Sequence, residues 1–70
     1  MKSDRPFDSL VSCIGNQITI QTKDGVTYAG DLVSFDIHLN VVLDNVFENS
    51  NSLEGKVLIR GDTISIVKHI

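Results

Sequence analysis

The chain of 70 residues is short of several things at once, and each shortage excludes something. It has a single cysteine, Cys13, so no disulfide can close within it. A chain this small buries only about 60% of the surface its unfolded form exposes, and folds of this size usually need a disulfide, a metal or a partner subunit. Metal ligation is poorly provided for. His38, His69, Cys13 and scattered carboxylates offer neither a Cys-x-x-Cys nor a His-x-x-x-His pair, so no metal or other cofactor is expected. Oligomerisation is left as the source of extra stability.

No signal-peptide pattern and no apolar run long enough to span a bilayer occurs, which predicts a cytoplasmic, soluble protein of a reducing compartment, off the membrane. Positive charge is also short, with six Lys and Arg against nine Asp and Glu and a net charge of −3. That disfavours coating a duplex by charge neutralisation. It leaves open recognition by stacking and base-edge hydrogen bonds, which need only a few well-placed groups. Nucleophile–base pairs, metal clusters and phosphate-cradling glycine loops are missing too, so a non-enzymatic protein is expected. Cys13 ends an amphipathic pattern and reads as a buried structural thiol rather than a nucleophile.

What is present is mostly β. At the start, Phe7, Leu10, Val11 and Ile14 recur at helical spacing behind Pro6, and Gly15 follows; this predicts an N-terminal α-helix over about 5–14 with one apolar face against a sheet. The period then changes to two. In "NQITIQT", Ile18 and Ile20 point one way and Gln17, Thr19 and Gln21 the other. Asp24-Gly25 signals a tight hairpin. Val26 to Phe47 is too long for one strand, with Gly30 offering a bend or bulge. A polar cluster around Asp36–Asn40 offers the reversal. After the polar loop "ENSNSLEG", the runs "KVLIR" and "TISIVK" are separated by Gly61-Asp62, which tolerates a two-residue hairpin.

The expectation is a single domain over residues 1–70, with strands at about 16–23, 26–35, 39–48, 55–60 and 63–68. Five short, strongly bent antiparallel strands make a small, partly open barrel. The last two are rich in aliphatic residues and have only Lys56, Arg60 and Lys68 as charged guards. Open edges of that kind invite pairing with another chain, and a ring or filament of like subunits follows.

"KDGVTYAGDLVSFDIHLNVVLDNV" resembles the first signature of the Sm and Sm-like (Lsm) proteins, with Gly25, Gly30, Asp36 and Asn40 ahead of the apolar Val41 to Leu43. "VLIRGDTISIV" resembles the second, with Arg60-Gly61 between two apolar strands. The "IRGD" ending, the short loop and the lack of a C-terminal tail look more like archaeal homo-oligomeric members than like the bacterial host-factor branch, which carries a Tyr-Lys-His type sequence there. The resemblance implies the Sm fold and a ring of six or seven subunits, most often seven, in which the fourth strand of one subunit pairs with the fifth of the next. It also implies that the inner rim binds single-stranded, uridine-rich RNA, one base per subunit.

On that resemblance the candidate RNA-binding residues are Asp36, His38, Asn40, Arg60, Gly61 and Asp62. The Asn40 amide offers a donor and an acceptor together and matches the N3–H and O4 edge of uracil. Asp36 would orient that amide. His38 would stack on one face of the base and the planar Arg60 guanidinium on the other. Gly61 would let the backbone approach the nucleotide, and Asp62 would shape the turn. The plainer alternatives are that Asp36 and Asn40 cap local backbone, that His38 is an exposed turn residue, and that Arg60 is a surface cation paired with Asp62. At the level of the whole protein, the rival is a structural protein–protein module that forms rings without binding RNA. An enzyme using Cys13 or His38 is a third class.

Overall fold

Apolar alternation organises the first strand pair in the computed structural model, which describes residues 10–69. Strand β1 (Gln17–Thr22) buries Ile18 and Ile20 completely and leaves Gln17 and Gln21 exposed. Strand β2 (Thr27–Phe35) runs antiparallel to it, with Ile18 opposite Gly30 and Ile20 opposite Tyr28. The link is a three-residue loop. The Gly25 N–H donates to the Thr22 carbonyl (2.9 Å), the Thr22 N–H donates to the Val26 carbonyl (2.9 Å), and Gly25 takes a φ of +89°. That is the geometry in which a left-handed glycine closes a hairpin.

Strand β3 (Val41–Glu48) pairs with β2 through two bulges. Ala29 faces Phe47 and Asp31 faces Asp44, which leaves an extra residue on β3; Leu32 faces Leu43 and Ser34 faces Val42, which leaves one on β2. At the first bulge Asn45 has a φ of +51°. Gly30 is required beside it by close approach. A Cβ there would lie 2.9 Å from the Asp44 carbonyl oxygen and 3.1 Å from Val46 Cγ2. Paired bulges raise the local twist and bend the ribbon, so this long β2–β3 hairpin curls around its own core.

The chain then turns back at Asn49-Ser50, both at positive φ (+48° and +74°), into the two-residue strand β4 (Asn51–Ser52). Positive φ at both central positions matches the twist of flanking strands. Strand β5 (Val57–Ile59) pairs with the opposite end of β3, at Val41–Leu43. A 3-10 turn (Gly61–Thr63) leads into strand β6 (Ile64–His69), which pairs with β1. The sheet order is β4-β3-β2-β1-β6, with β5 also on β3.

Gly61-Asp62 is therefore not the two-residue hairpin expected from the sequence. Successive strands β5 and β6 do not pair with each other but with β3 and β1, because the 3-10 turn sends the chain across the mouth of the bent sheet. The strongly bent antiparallel sheet stands, and among the described residues it has six strands, the two-residue β4 being the addition to the five expected.

The core is Ile18, Ile20, Leu32, Val41, Leu43, Val46 and Ile59, closed by Leu10 and Cys13. Each fully buried aliphatic side chain contributes about 1.5–3 kcal/mol. The expected helix over 5–14 lies for the most part outside the described residues; Leu10 and Val11 are helical, and the chain then enters a turn through Gly15. That turn departs from helical spacing, so Leu10 and Cys13 face the core while Val11 and Ile14 are exposed, and the single apolar face does not continue through Ile14. Among the described residues, no helix is long and apolar enough to cross a membrane.

Candidate nucleic-acid interface

The stretch between β2 and β3 repeats the loop of the first hairpin with a difference. The Leu39 N–H donates to the Asp36 carbonyl (2.9 Å) and the Asp36 N–H to the Asn40 carbonyl (3.1 Å), as Gly25 and Thr22 do earlier. The left-handed position is filled by Leu39, at a φ of +60°. A side chain there costs on the order of 1–3 kcal/mol and persists only where its surroundings over-determine it. Two things hold it. Leu39 packs against the core, and the Asp36 carboxylate gathers the loop around itself. Asp36 Oδ1 accepts from the backbone N–H of His38 (2.8 Å) and of Asn40 (3.0 Å), and Oδ2 accepts from Asn40 Nδ2 (3.0 Å). The Asn40 side-chain amide and then its backbone N–H hold the Asp36 carboxyl below its ordinary range.

Asn40 is bound at both ends. Its Nδ2 donates to Asp36, and its Oδ1 accepts the Gly61 N–H at 2.8 Å. These partners fix which way round the amide sits. The flipped amide would set oxygen against a carboxylate and NH2 against an N–H. A primary amide has two donors and two acceptor sites, so one N–H and one lone pair remain for a ligand, in a set polarity.

Gly61 is the point of closest contact between the two segments. A Cβ there would overlap the His38 carbonyl oxygen and lie 2.8 Å from the Leu39 carbonyl carbon. The close approach that needs a glycine is thus to the Asp36–Asn40 loop. This is a different role from admitting a nucleotide, the one read from sequence. Arg60 Nη2 pairs with Asp62 Oδ2 at 2.9 Å, with both side chains well exposed. Asp62 accordingly does more than shape the turn. The Thr63 hydroxyl donates to the Arg60 carbonyl at 2.7 Å and secures the corner. Exposed pairs of this kind contribute about 0–1 kcal/mol, so the guanidinium exchanges partners readily. His38 and Ile37 stand exposed at the loop tip, Ile37 at 77%.

Fold and contacts thus bring Asp36, His38 and Asn40 against the corner that carries Arg60, Gly61 and Asp62, although 20 residues separate Asn40 from Gly61 in sequence. Two features escaped sequence reasoning. Nothing marks Leu39 as left-handed, since leucine disfavours that region, and the Asn40–Gly61 hydrogen bond depends on a non-local approach. Among the described residues, no group of three or more His, Cys, Asp or Glu side chains could hold a metal ion.

The family model of the LSM domain matches residues 8–69. The chain belongs to the LSM family. An Sm-like snRNP-type protein of Thermococcus sibiricus is 33% identical over 72 residues, covering 97% of this LSM chain and 95% of its own length. Among solved structures, the Sm protein of Pyrococcus abyssi in complex with a uridine heptamer superposes with a TM-score of 0.86 at 30% identity, over 96% of this chain and 100% of that one. The SmAP1 heptamer of Pyrobaculum aerophilum gives a TM-score of 0.86 at 25% identity, over 99% and 97%.

Proposed function

We propose that this LSM protein is a non-enzymatic RNA-binding ring that holds single-stranded, uridine-rich RNA on its inner rim as a scaffold or chaperone in RNA processing. The observation that carries this reading is the doubly anchored Asn40 amide. Its remaining donor and acceptor meet the O4 and N3–H of uracil; cytosine presents the reverse order, N4–H2 and N3. A freely rotating amide would serve both bases, whereas one clamped by Asp36 and Gly61 discriminates. His38 stacks on one face of the base, and Arg60, released from Asp62, covers the other. Base stacking contributes on the order of 1–3 kcal/mol per nucleotide, and repetition around a ring turns weak sites into tight binding.

Ring formation is supported by the sheet edges. Among the described residues β5 pairs only with β3 and β6 only with β1, so each keeps one unpaired edge. Leu58 (63% exposed), Ile66 and Val67 lie on these strands. Pairing β5 of one subunit with β6 of the next satisfies both edges and covers those side chains. Seven subunits is the favoured count, in keeping with the heptameric relative and the uridine heptamer bound by another; six is the alternative.

A second reading, a ring-forming assembly module without RNA, is favoured by the Arg60–Asp62 pair, which occupies the guanidinium, and by the net charge of −3. Native mass spectrometry with and without oligo-U separates the two. The RNA-binding reading expects a ring that gains the mass of bound oligo-U. A ring that gains nothing supports the module, and a monomer contradicts both.

A further inference from the structure

An RNA-binding rim on an acidic chain has an unsolved electrostatic problem. The proposed site holds two carboxylates, Asp36 and Asp62, and its one cation, Arg60, is already paired. Stacking and base reading do nothing to offset the phosphate charge brought with each nucleotide. Among the described residues, three other cationic side chains can be compared. Lys56 is 3.9 Å from Asp44, and Lys68 sits on β6 opposite Thr19, in the sheet. Lys23 stands in the β1–β2 loop, exposed, and among the described residues no carboxylate forms an ion pair with it.

Lys23 is also tied to the site. Its backbone N–H donates to the Thr63 carbonyl at 2.7 Å, and Thr63 is hydrogen-bonded to Arg60. Lys23, Asp24, Arg60, Asp62 and Thr63 line one open depression of about 390 Å³. Asp24 is the obvious competitor for the ammonium, but its Oδ1 faces the Thr22 hydroxyl and the Val26 N–H, which hold its carboxyl below the ordinary range. The loop satisfies its own carboxylate and leaves the lysine without one.

We infer that Lys23 is a phosphate-binding residue of the RNA path, contacting the backbone of the strand whose base is read at Asn40. The inference rests on the RNA-binding reading above. A backbone contact carries no base identity, so Lys23 supplies affinity and salt dependence while Asn40 supplies selectivity. The division is physically distinct from stacking, because only phosphate neutralisation releases counterions.

The test is a salt titration of fluorescently labelled oligo-U and oligo-C on the assembled wild-type, Lys23→Gln, Lys23→Arg and Lys56→Gln proteins, with the ring checked by native mass spectrometry. Lys23→Gln is expected to flatten the slope of log K against log salt by about 0.7 for each bound nucleotide, to weaken oligo-U binding, and to leave the oligo-U to oligo-C ratio unchanged. Lys23→Arg should retain the wild-type slope. Lys56→Gln removes the same charge away from the depression and should leave the slope alone. A wild-type slope in Lys23→Gln, or an equal fall in Lys56→Gln, overturns the assignment of Lys23 and leaves the RNA-binding reading standing. Failure of the wild-type ring to bind oligo-U overturns both.

Discussion

Replacing Gly61 by alanine adds one methyl group where the two halves of the proposed site meet. The backbone at Gly61 needs no left-handed φ, so the effect is steric. The new Cβ would overlap the His38 carbonyl oxygen and stand 2.8 Å from the Leu39 carbonyl carbon and 2.9 Å from that of His38. All three atoms are backbone in a loop pinned by Asp36, so none can swing aside. Restoring ordinary 3.4 Å contact to Leu39 alone requires a retreat of about 0.6 Å, and the His38 oxygen requires more. Strain of this kind costs about 1–3 kcal/mol. The retreat also stretches the 2.8 Å hydrogen bond from Gly61 N–H to Asn40 Oδ1, worth about 0.5–1.5 kcal/mol. Together they predict a loss of about 1.5–4.5 kcal/mol, read by urea denaturation at fixed protein concentration, since assembly makes stability concentration-dependent. The same variant should lose discrimination between oligo-U and oligo-C, because the amide is then held at one end only. Stability within about 0.5 kcal/mol of wild type, together with an unchanged oligo-U to oligo-C ratio, would refute the claim that Gly61 clamps Asn40.

Four further outcomes are expected. Asp36→Asn keeps the shape of the clasp but sets an NH2 group toward Asn40 Nδ2, so oligo-U selectivity should fall while circular dichroism stays that of a β-sheet. The Asp36 carboxyl is held low in the fold chiefly by the Asn40 side-chain amide. Its contribution to stability is therefore full above the ordinary carboxyl value of 3.8 and is lost as pH falls through the lower folded value; an acid titration should show a loss below that point which Asp36→Asn lacks. Leu43→Ala, at a fully buried position on β3, should cost about 2–5 kcal/mol in the same urea assay. Leu58→Glu places a charge on the exposed edge strand β5 and should shift native mass spectra from ring to smaller species, while the subunit's sheet signal persists.

Much of the sheet was legible because it is written in local pattern. Ile18 and Ile20 alternate with glutamines and are buried; Gly30 stands where the β2–β3 pairing is bulged, and Asp24-Gly25 closes a hairpin. The misreadings fall where partners are distant. Gly61-Asp62 resembles a hairpin turn by composition, but whether β5 and β6 pair is decided by β3 and β1, which compete for them across the bent sheet. The hairpin at Asn49-Ser50 lacks the glycine that would have announced it, and Ser50 adopts positive φ without such a signal. At the site, residue types pointed to Asp36 and Asn40 through family resemblance. The reason the amide has a fixed polarity, a hydrogen bond to Gly61 across 20 intervening residues, exists only in three dimensions.

Selection of uracil by the clamped Asn40 amide, as proposed, is tested most directly by a binding titration of wild type and Asn40→Ala with oligo-U and oligo-A. Wild type is expected to prefer oligo-U, and Asn40→Ala to lose oligo-U affinity while its weaker binding of oligo-A is little changed. Equal losses for the two oligomers, with the ring intact, would contradict it.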